Sequence, residues 1–197
     1  KTTTVKVLAG LVKPDQGLAR VGGHPAGSEA ARGLLGYVPD QPYLYERLSG
    51  REFLAFVGRM YGMEAGEISR GIAEMSDRFE LGAFLDDLAD SYSHGMRQRV
   101  VFAAALLHRP KVLVVDEPLV GLDPRSIRLV KDLLKERRRE GVAILISTHV
   151  LDIARGYLRY SGLRLSRLPL VHPLAAFLKT LMARASAETP PTSFPTM

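Results

Sequence analysis

Apolar residues along this chain follow two alternating patterns. Short apolar runs at 18–21, 34–38, 112–115 and 142–146 are bounded by Gly, Pro or charged residues, which predicts strands. Between them, apolar positions three or four residues apart predict amphipathic helices. The last two runs are aliphatic throughout, as is typical of a parallel sheet buried on both faces. The alternation predicts an α/β fold with a mostly parallel sheet.

Capping residues mark where the helices begin and end. The first helix follows the opening Lys-Thr run and stops at 13–17, and a capping box at 49–52 opens the second. Ser93 opens the fourth helix, and Asp123 caps a fifth that Gly141 ends. The expected inward faces of the first four helices are Val5, Leu8 and Val12; Phe53, Phe56, Val57 and Met60; Ile68, Ile72, Met75 and Phe79; and Met96, Val100, Ala104 and Leu107.

The strand pattern divides the chain into an α/β core and a helical lobe. Residues 45–108 have almost no strand pattern, so we expect a helical lobe inserted into a core formed by 1–44 and 109–153. Residues 154–197 mix Arg, Leu and Pro without periodicity, the texture of a frameshifted terminus, with little independent structure from about 185 onward. The first residue is not Met, and we expect the natural N-terminus to lie upstream.

Composition and charge exclude several classes of function. The absence of cysteine rules out disulfides, thiol nucleophiles and thiolate metal sites. No stretch reaches about 18 continuous apolar residues, so we expect no membrane-spanning helix. Residues 154–197 carry six Lys or Arg against one acid, which is +5 of the net +6 and leaves +1 for 1–153. A near-neutral body argues against a nucleic-acid partner.

Two carboxylates carry the strongest chemical signal. Asp116 and Glu117 follow four aliphatic residues, which places them at the carboxyl edge of a parallel sheet, where α/β folds bind ligands. Successive strand residues point to opposite sides, so the two can have different roles. Asp116 is predicted to hold magnesium, and Glu117 to orient and polarise an attacking water. The alternative is an acidic pair that only leads the strand into the turn at Pro118.

Weaker candidates stand at the starts of helices and after the last strand. An ammonium and hydroxyls at Lys1, Thr2 and Thr3 would suit phosphates and a metal at a helix start, although a merely polar helix start has the same sequence. His149 follows the strand at 142–146 and could hydrogen-bond a phosphate or the water, or be structural. Asp123 is an N-cap, which does not exclude a second role.

One further helix start contains a hydroxyl and an open backbone. Ser93 and Gly95 stand in the first turn of the helix that precedes the acidic strand, within Tyr92-Ser93-His94-Gly95-Met96-Arg97-Gln98-Arg99. Such a turn can offer donors to an anion. By its residues alone, the segment indicates only a capped helix.

The array of motifs resembles the nucleotide-binding subunit of ABC transporters, especially bacterial ABC-2-type exporter ATPases, from Lys1 to about Asp152. Lys1-Thr2-Thr3 is similar to the end of the Walker A motif, and 93–99 to the LSGGQ-x-QR signature, here YSHGM-R-QR. Residues 112–117 resemble Walker B with its catalytic glutamate, 121–124 the D-loop, and 147–149 the switch histidine. Five motifs in this order make a chance agreement very rare.

The resemblance implies a P-loop NTPase fold, a function and a set of partners. Two subunits, identical or not, would sandwich two ATP molecules with Mg²⁺, each contacted by Lys1, Thr2 and Asp116 of one chain and Ser93 and Gly95 of the other. Glu117 and His149 would promote hydrolysis. The helical lobe would touch a separate membrane permease, which places the subunit in the cytoplasm on the inner face of the cell membrane. No nucleic acid is expected.

Three departures from the family pattern leave alternatives open. The Walker A glycines and their strand are absent from this sequence, so we expect the 197-residue chain itself to bind ATP poorly. At the Q-loop, which contacts metal and permease, position favours Asp40 whereas chemistry favours Gln41. The segment after Ala154 lacks the buried strand expected there. The rival functions are an ABC-type ATPase that drives no transport and a catalytically dead, truncated remnant.

Overall fold

The computed structural model describes residues 2–119 and 121–148. The strands are β1 (Arg20–Val21), β2 (His24–Pro25), β3 (Leu35–Val38), β4 (Val112–Asp116) and β5 (Ala143–Ser147). The helices are α1 (Thr2–Leu8), α2 (Glu29–Leu34), α3 (Gly50–Met60), α4 (Ala65–Phe79), α5 (His94–Leu106) and α6 (Pro124–Arg139), with a 3₁₀ turn at Ala89–Ser91. The predictions made for Lys1, His149 and 154–197 lie outside the described residues.

The central sheet has the order β3-β4-β5, and all of its strands are parallel. Val38 pairs with Val115, and Asp116 pairs with Ser147, so the carboxyl ends of the three strands meet at one edge. Leu113 and Val115 are completely buried and Val114 is nearly so, because helices cover both faces of β4. The predicted α/β core with a parallel sheet is confirmed.

A small hairpin replaces the first predicted strand. β1 and β2 pair antiparallel through Val21 and His24, and the two residues between them, Gly22 and Gly23, both have positive φ. A two-residue Gly-Gly loop matches the twist of a tight hairpin. Leu18, which the apolar run 18–21 placed in a strand, precedes the hairpin and is 89% exposed.

One face of the sheet is covered by short helices. Their contact with the sheet is a small apolar cluster formed by Val5, Val21, Ala31, Leu35 and Val114. α1 ends at Leu8, four residues earlier than predicted, and Val12 is exposed. α2 was not predicted because it is only six residues long, although Ser28 caps it by accepting a hydrogen bond from the Ala31 N–H.

The helical lobe contains α3, α4 and α5. The predicted capping box is present at Ser49 and Glu52, and all four apolar residues predicted to face inward on α4 are buried. The predicted inward face of α3 is confirmed for Phe53 and Val57, which are partly buried and pack against the core. It is wrong for Phe56 and Met60, which are exposed, whereas Gly50, Leu54 and Gly58 are buried.

Close contact between helices explains the face that α3 buries. A Cβ atom on Gly58 would lie 2.7 Å from Cγ1 of Ile68 on α4, and one on Gly50 would lie 2.7 Å from Oη of Tyr92. Only a residue without a side chain permits this distance. The two glycines therefore face the interior together with Leu54, and Phe56 and Met60 are left on the surface of the lobe.

α5 connects the helical lobe with the sheet. Its residues Val100 and Phe102 are completely buried in the main core, which also includes Leu113 of β4 and Leu134 of α6. Where α5 approaches β3, a Cβ on Gly36 would lie 2.3 Å from the Ala105 carbonyl oxygen, so the two backbones are in direct contact. Across 2–119 and 121–148, none of the helices is both long and apolar enough to cross a membrane.

Candidate functional site

Acidic and hydroxyl side chains collect at the carboxyl edge of the sheet. Asp116 is the last residue of β4 and lies beside Ser147, the last residue of β5. Asp40 follows β3 and lies two residues after Val38, which pairs with Val115. This convergence follows from the parallel register, which brings the ends of all three strands to one place.

Asp116 is almost completely buried at this edge. Only 2% of the residue is exposed, and its Oδ2 atom has no hydrogen-bond partner in the described part of the chain. Burial raises the pKa of Asp116, and the negative charges of Asp40 and Glu117 raise it further, whereas a hydrogen bond with Ser147 opposes the shift. A buried carboxylate among other acids is a position that a cation would stabilise.

Glu117 is aimed by its backbone rather than by strand alternation. β4 ends at Asp116, and Glu117 adopts a left-handed conformation with φ of +46°. This conformation costs an L-residue about 1–2 kcal/mol, and the Glu117 N–H donates to the Ser147 carbonyl at 2.9 Å. Alternation along β4 therefore does not set the direction of the Glu117 side chain. Backbone strain of this kind is concentrated at functional sites.

Of the two Q-loop candidates, Asp40 acts on Asp116 through its charge. The Gln41 N–H donates to Asp40 Oδ1 at 2.9 Å, so the Asp40 side chain folds over the following residue. Asp40 is near enough to raise the pKa of Asp116 by its charge. This proximity supports Asp40, and the choice between the two stays a prediction.

The helix starts at Ser93 and Asp123 form a second cluster. Ser93 Oγ accepts a hydrogen bond from the Met96 N–H and caps α5 as predicted. A Cβ on Gly95 would lie 3.5 Å from Asp123 Oδ2 and 3.8 Å from Ser126 Oγ. The first turn of α5 therefore lies against the first turn of α6.

Asp123 is fully used as a cap within this cluster. Its carboxylate accepts hydrogen bonds from the Arg125 and Ser126 N–H groups, at 2.9 and 3.0 Å, and from Ser126 Oγ at 2.5 Å. The Ser126 bonds lower the pKa of Asp123 and keep it ionised. The structure thus gathers the predicted residues into two groups, one at the sheet edge and one at the starts of α5 and α6. Thr2 and Thr3 are exposed in the first turn of α1.

An apolar groove that was not predicted from the sequence lies beside the helical lobe. It has a volume of about 780 Å³ and is lined by α2, the end of β3, α3 and α5. Tyr43 and Met60 at its rim are more than two-thirds exposed. The signal in the sequence is the pair of tyrosines at 43 and 45, on either side of Leu44, in a segment predicted to be neither a strand nor a helix. Among the described residues, no cluster of three or more His, Cys, Asp or Glu is arranged to hold a metal ion by itself.

Comparison with known proteins places this site in a family. The family model described as ABC transporter matches residues 1–120. The linearmycin resistance ATP-binding protein of Bacillus subtilis is 35% identical over 154 residues, which cover 77% of this chain and 50% of that protein. The daunorubicin/doxorubicin resistance ATP-binding protein of Streptomyces peucetius is 38% identical over 156 residues, 78% of this chain and 47% of that protein. The chain spans about half the length of these curated relatives.

Solved structures share the fold. An ATP-binding subunit of an ABC transporter superposes with a TM-score of 0.73 at 34% identity, over 80% of this chain and 66% of the other. A dimeric ATP-binding cassette, in a post-hydrolysis state with ADP and phosphate, gives a TM-score of 0.71 at 24% identity, over 78% of this chain and 72% of the other. The second likeness concerns the fold alone.

Proposed function

Because the chain belongs to the ABC transporter ATP-binding family, we propose that the full-length protein hydrolyses ATP and powers export through a separate membrane permease. The observation that carries this proposal is the buried, partly unsatisfied Asp116 beside the strained Glu117, where the three parallel strands end. The names of relatives that confer resistance to linearmycin and to daunorubicin favour an exporter.

Each residue at the sheet edge has a proposed role. Glu117 orients the attacking water and accepts its proton, and His149 supports the γ-phosphate or the same water. Lys1, Thr2 and Thr3 contact the phosphates. Mg²⁺, when bound, neutralises phosphate charge. Asp116, the Thr2 hydroxyl and Asp40 or Gln41 are the oxygen donors that would hold it, and the unpartnered Oδ2 of Asp116 fits that use.

The cluster at the starts of α5 and α6 is proposed to act on the nucleotide of a second subunit. The first turn of α5 presents Ser93 and Gly95, while Asp123 and Ser126 support it from α6. A phosphate bound there would use the N–H groups at the start of α5, a 13-residue helix. ATP would then join two subunits, identical or not, in a closed dimer.

The dimer proposal predicts that Gly95→Ala leaves the subunit folded but reduces its turnover. Inside one chain the new Cβ has only ordinary contacts, at 3.5 Å or more. Stability should therefore be unchanged or increased by up to about 1 kcal/mol, because Ala favours a helix over Gly. Crowding at the phosphate should lower kcat by about 10-fold or more. Steady-state phosphate release and thermal unfolding of the full-length protein measure the two effects.

A matched glycine separates folding from catalysis. Gly36→Ala places a Cβ at 2.3 Å from the Ala105 carbonyl oxygen and should destabilise the fold instead. Gly95→Ala with parental kcat would contradict the role of the first turn of α5 in the dimer. A parent that releases no phosphate from Mg-ATP would contradict the proposed function as a whole and favour the inactive remnant.

The permease is proposed to dock in the apolar groove. Tyr43 at the rim of the groove and its neighbours Tyr45 and Phe56 are exposed. The Tyr45 ring contacts the other two, with centroids 5.8 Å from Tyr43 and 5.7 Å from Phe56. Exposed aromatic side chains of this kind are typical anchors of protein interfaces. Pro39 lines the groove, so a bound permease segment lies beside Asp40, the next residue, whose charge acts on Asp116. Docking there would hold the subunit on the inner face of the membrane.

Met60→Glu should weaken this docking without changing basal turnover. Met60 is 71% exposed, so the substitution should alter stability by no more than about 0.5 kcal/mol. A charge in the groove should reduce affinity for the co-produced membrane subunit about 10-fold, measured by co-purification at graded concentrations. Leu18→Glu, at an exposed apolar residue on the hairpin side, is the control. Equal loss of binding in both variants would contradict docking in the groove.

A further inference from the structure

Two helices of the lobe are attached to a single carbonyl group of the sheet. Tyr61, at the end of α3, and His108, two residues after α5, stack with ring centroids 3.7 Å apart and an interplanar angle of 6°. His108 Nε2 lies 3.2 Å from the Leu35 carbonyl oxygen, and the Tyr61 hydroxyl donates to the same oxygen at 3.4 Å. Leu35 is the first residue of β3.

The protonation of His108 follows from this geometry. A carbonyl oxygen only accepts hydrogen bonds, so the proton of the neutral ring lies on Nε2. Burial lowers the pKa of His108 to about 4, which keeps the ring neutral at physiological pH. Its Nδ1 atom is buried without a hydrogen-bond partner in the described part of the chain. An unsatisfied acceptor costs about 1–3 kcal/mol, and a phenylalanine would avoid that cost. The Nε2–H donor is therefore the property that this position uses.

The backbones around this carbonyl leave no free space. Gly36 touches the Ala105 carbonyl of α5, and a Cβ on Gly58 of α3 would lie 3.4 Å from Cδ2 of Leu107. The ends of α3 and α5 are thus fixed to each other and to the start of β3. Apart from the apolar core that α5 shares with β4 and α6, the lobe is joined to the rest of the chain by ion pairs such as Arg78–Glu136 and Arg125–Glu80. These two pairs are partly exposed and contribute about 1 kcal/mol or less each.

Both ends of this junction reach functional groups. From Leu35 the chain runs along β3 to Asp40, whose negative charge raises the pKa of Asp116. α5 starts at Ser93, and its far end carries His108. Tyr61 also lines the apolar groove, so that a segment bound there contacts the stack directly.

We propose that Tyr61 and His108 are positioning residues, whose shared hold on the Leu35 carbonyl sets the angle between the first turn of α5 and the carboxyl edge of the sheet. The pair touches neither nucleotide nor metal. It determines whether Ser93 and Gly95 of one subunit meet the phosphates held by another, and this consequence rests on the proposed function.

Three substitutions isolate the hydrogen bonds. His108→Phe keeps the ring and its stacking but removes the donor, whereas His108→Gln removes the ring and keeps an N–H donor. Tyr61→Phe removes only the hydroxyl. Ser69→Ala is the control, because it also removes one hydroxyl that donates to a backbone carbonyl, at an exposed position of α4 away from the stack and the groove.

The angle itself can be measured without any catalytic activity. These 197 residues contain no cysteine, so Lys6→Cys on α1 and Ala73→Cys on α4 provide two unique sites for spin labels once any cysteine in the rest of the full-length protein is replaced by serine. Pulsed electron paramagnetic resonance should give one narrow distance distribution for the parent and for Ser69→Ala. In His108→Phe and Tyr61→Phe, the distribution should broaden or shift by about 2 Å or more, and His108→Gln should stay near the parent.

The kinetic constants kcat and KM distinguish a positioning role from a role in packing alone. Misorientation of the lobe should lower kcat about 10-fold or more with KM for ATP within about twofold, because the sheet edge that binds ATP is intact. Parental distances and kcat in both phenylalanine variants would overturn the proposal. If His108→Phe fails to fold, Tyr61→Phe decides alone. A parent without ATPase activity would remove the proposed function, while the distance measurement would still test the junction.

Discussion

Glu117→Gln should reduce ATP turnover by about 100-fold to 10,000-fold, the range attributed to a general base. The amide retains the size of the carboxylate but cannot accept the proton of the attacking water. Since Glu117 acts on water and not on the nucleotide, ATP affinity should stay within about threefold of the parent. The backbone at Glu117 is held at φ +46° by the bond from its N–H to Ser147, and the substitution leaves that bond in place.

Phosphate release under saturating Mg-ATP and equilibrium binding of a fluorescent ATP analogue measure the two quantities. Glu46→Gln, at an exposed position of the helical lobe, is the control and should turn over at the parental rate. Parental turnover in Glu117→Gln would remove the base assignment. A variant that lost ATP binding together with turnover would show that Glu117 holds the nucleotide instead.

Asp116→Asn should abolish Mg²⁺-dependent ATP hydrolysis and yet stabilise the unliganded protein at pH 7. Asp116 is buried with an unpartnered oxygen, next to the charges of Asp40 and Glu117. Removing its charge relieves desolvation and repulsion, which together should be worth about 1–3 kcal/mol. An amide N–H can also donate to the neighbouring carboxylates. Without the carboxylate, however, the sheet edge loses its main ligand for the metal.

The stabilisation should depend on pH with a definite sign. Because burial raises the pKa of Asp116 above its ordinary 3.8, the folded parent holds this proton more tightly than the unfolded chain does. Parental stability from this group therefore falls as pH rises from about 3.8 through the raised pKa. The advantage of Asp116→Asn is complete above that pKa and vanishes toward pH 3.8.

Chemical denaturation of both proteins across this pH range measures the difference in free energy of unfolding. Asp77→Asn makes the same change at an exposed position of α4 and should alter stability by no more than about 0.5 kcal/mol. A pH-independent gain, or a loss of stability at pH 7, would mean that the Asp116 charge is compensated in the folded state. Full activity of the variant would contradict its role toward the metal.

The sequence by itself determined the elements with strong local signals. The capping boxes and N-caps at Ser49, Ser93 and Asp123 are all in place, because a cap depends on residues within one turn. The four inward residues of α4 follow from a clean helical period. The aliphatic runs before Asp116 and Ser147 indicated a parallel sheet, and with it the edge where the acidic residues gather.

The tertiary structure decided the features that depend on contacts distant in sequence. The buried face of α3 is set by glycines that admit α4 and Tyr92, which no hydrophobic period reveals. The left-handed backbone of Glu117 is tied to the neighbouring strand and lies outside β4, where alternation along a strand does not apply.

The same reason applies to the junction at Leu35 and to the charge of Asp116. Leu35 and His108 are 73 residues apart, and only the packing of α5 on β3 brings the ring to the carbonyl. The raised pKa of Asp116 likewise requires its burial and the approach of Asp40 from another strand. Local sequence fixes which residues can serve a role, while long-range packing fixes their distances, burial and charge, because those properties belong to the neighbours as much as to the residue.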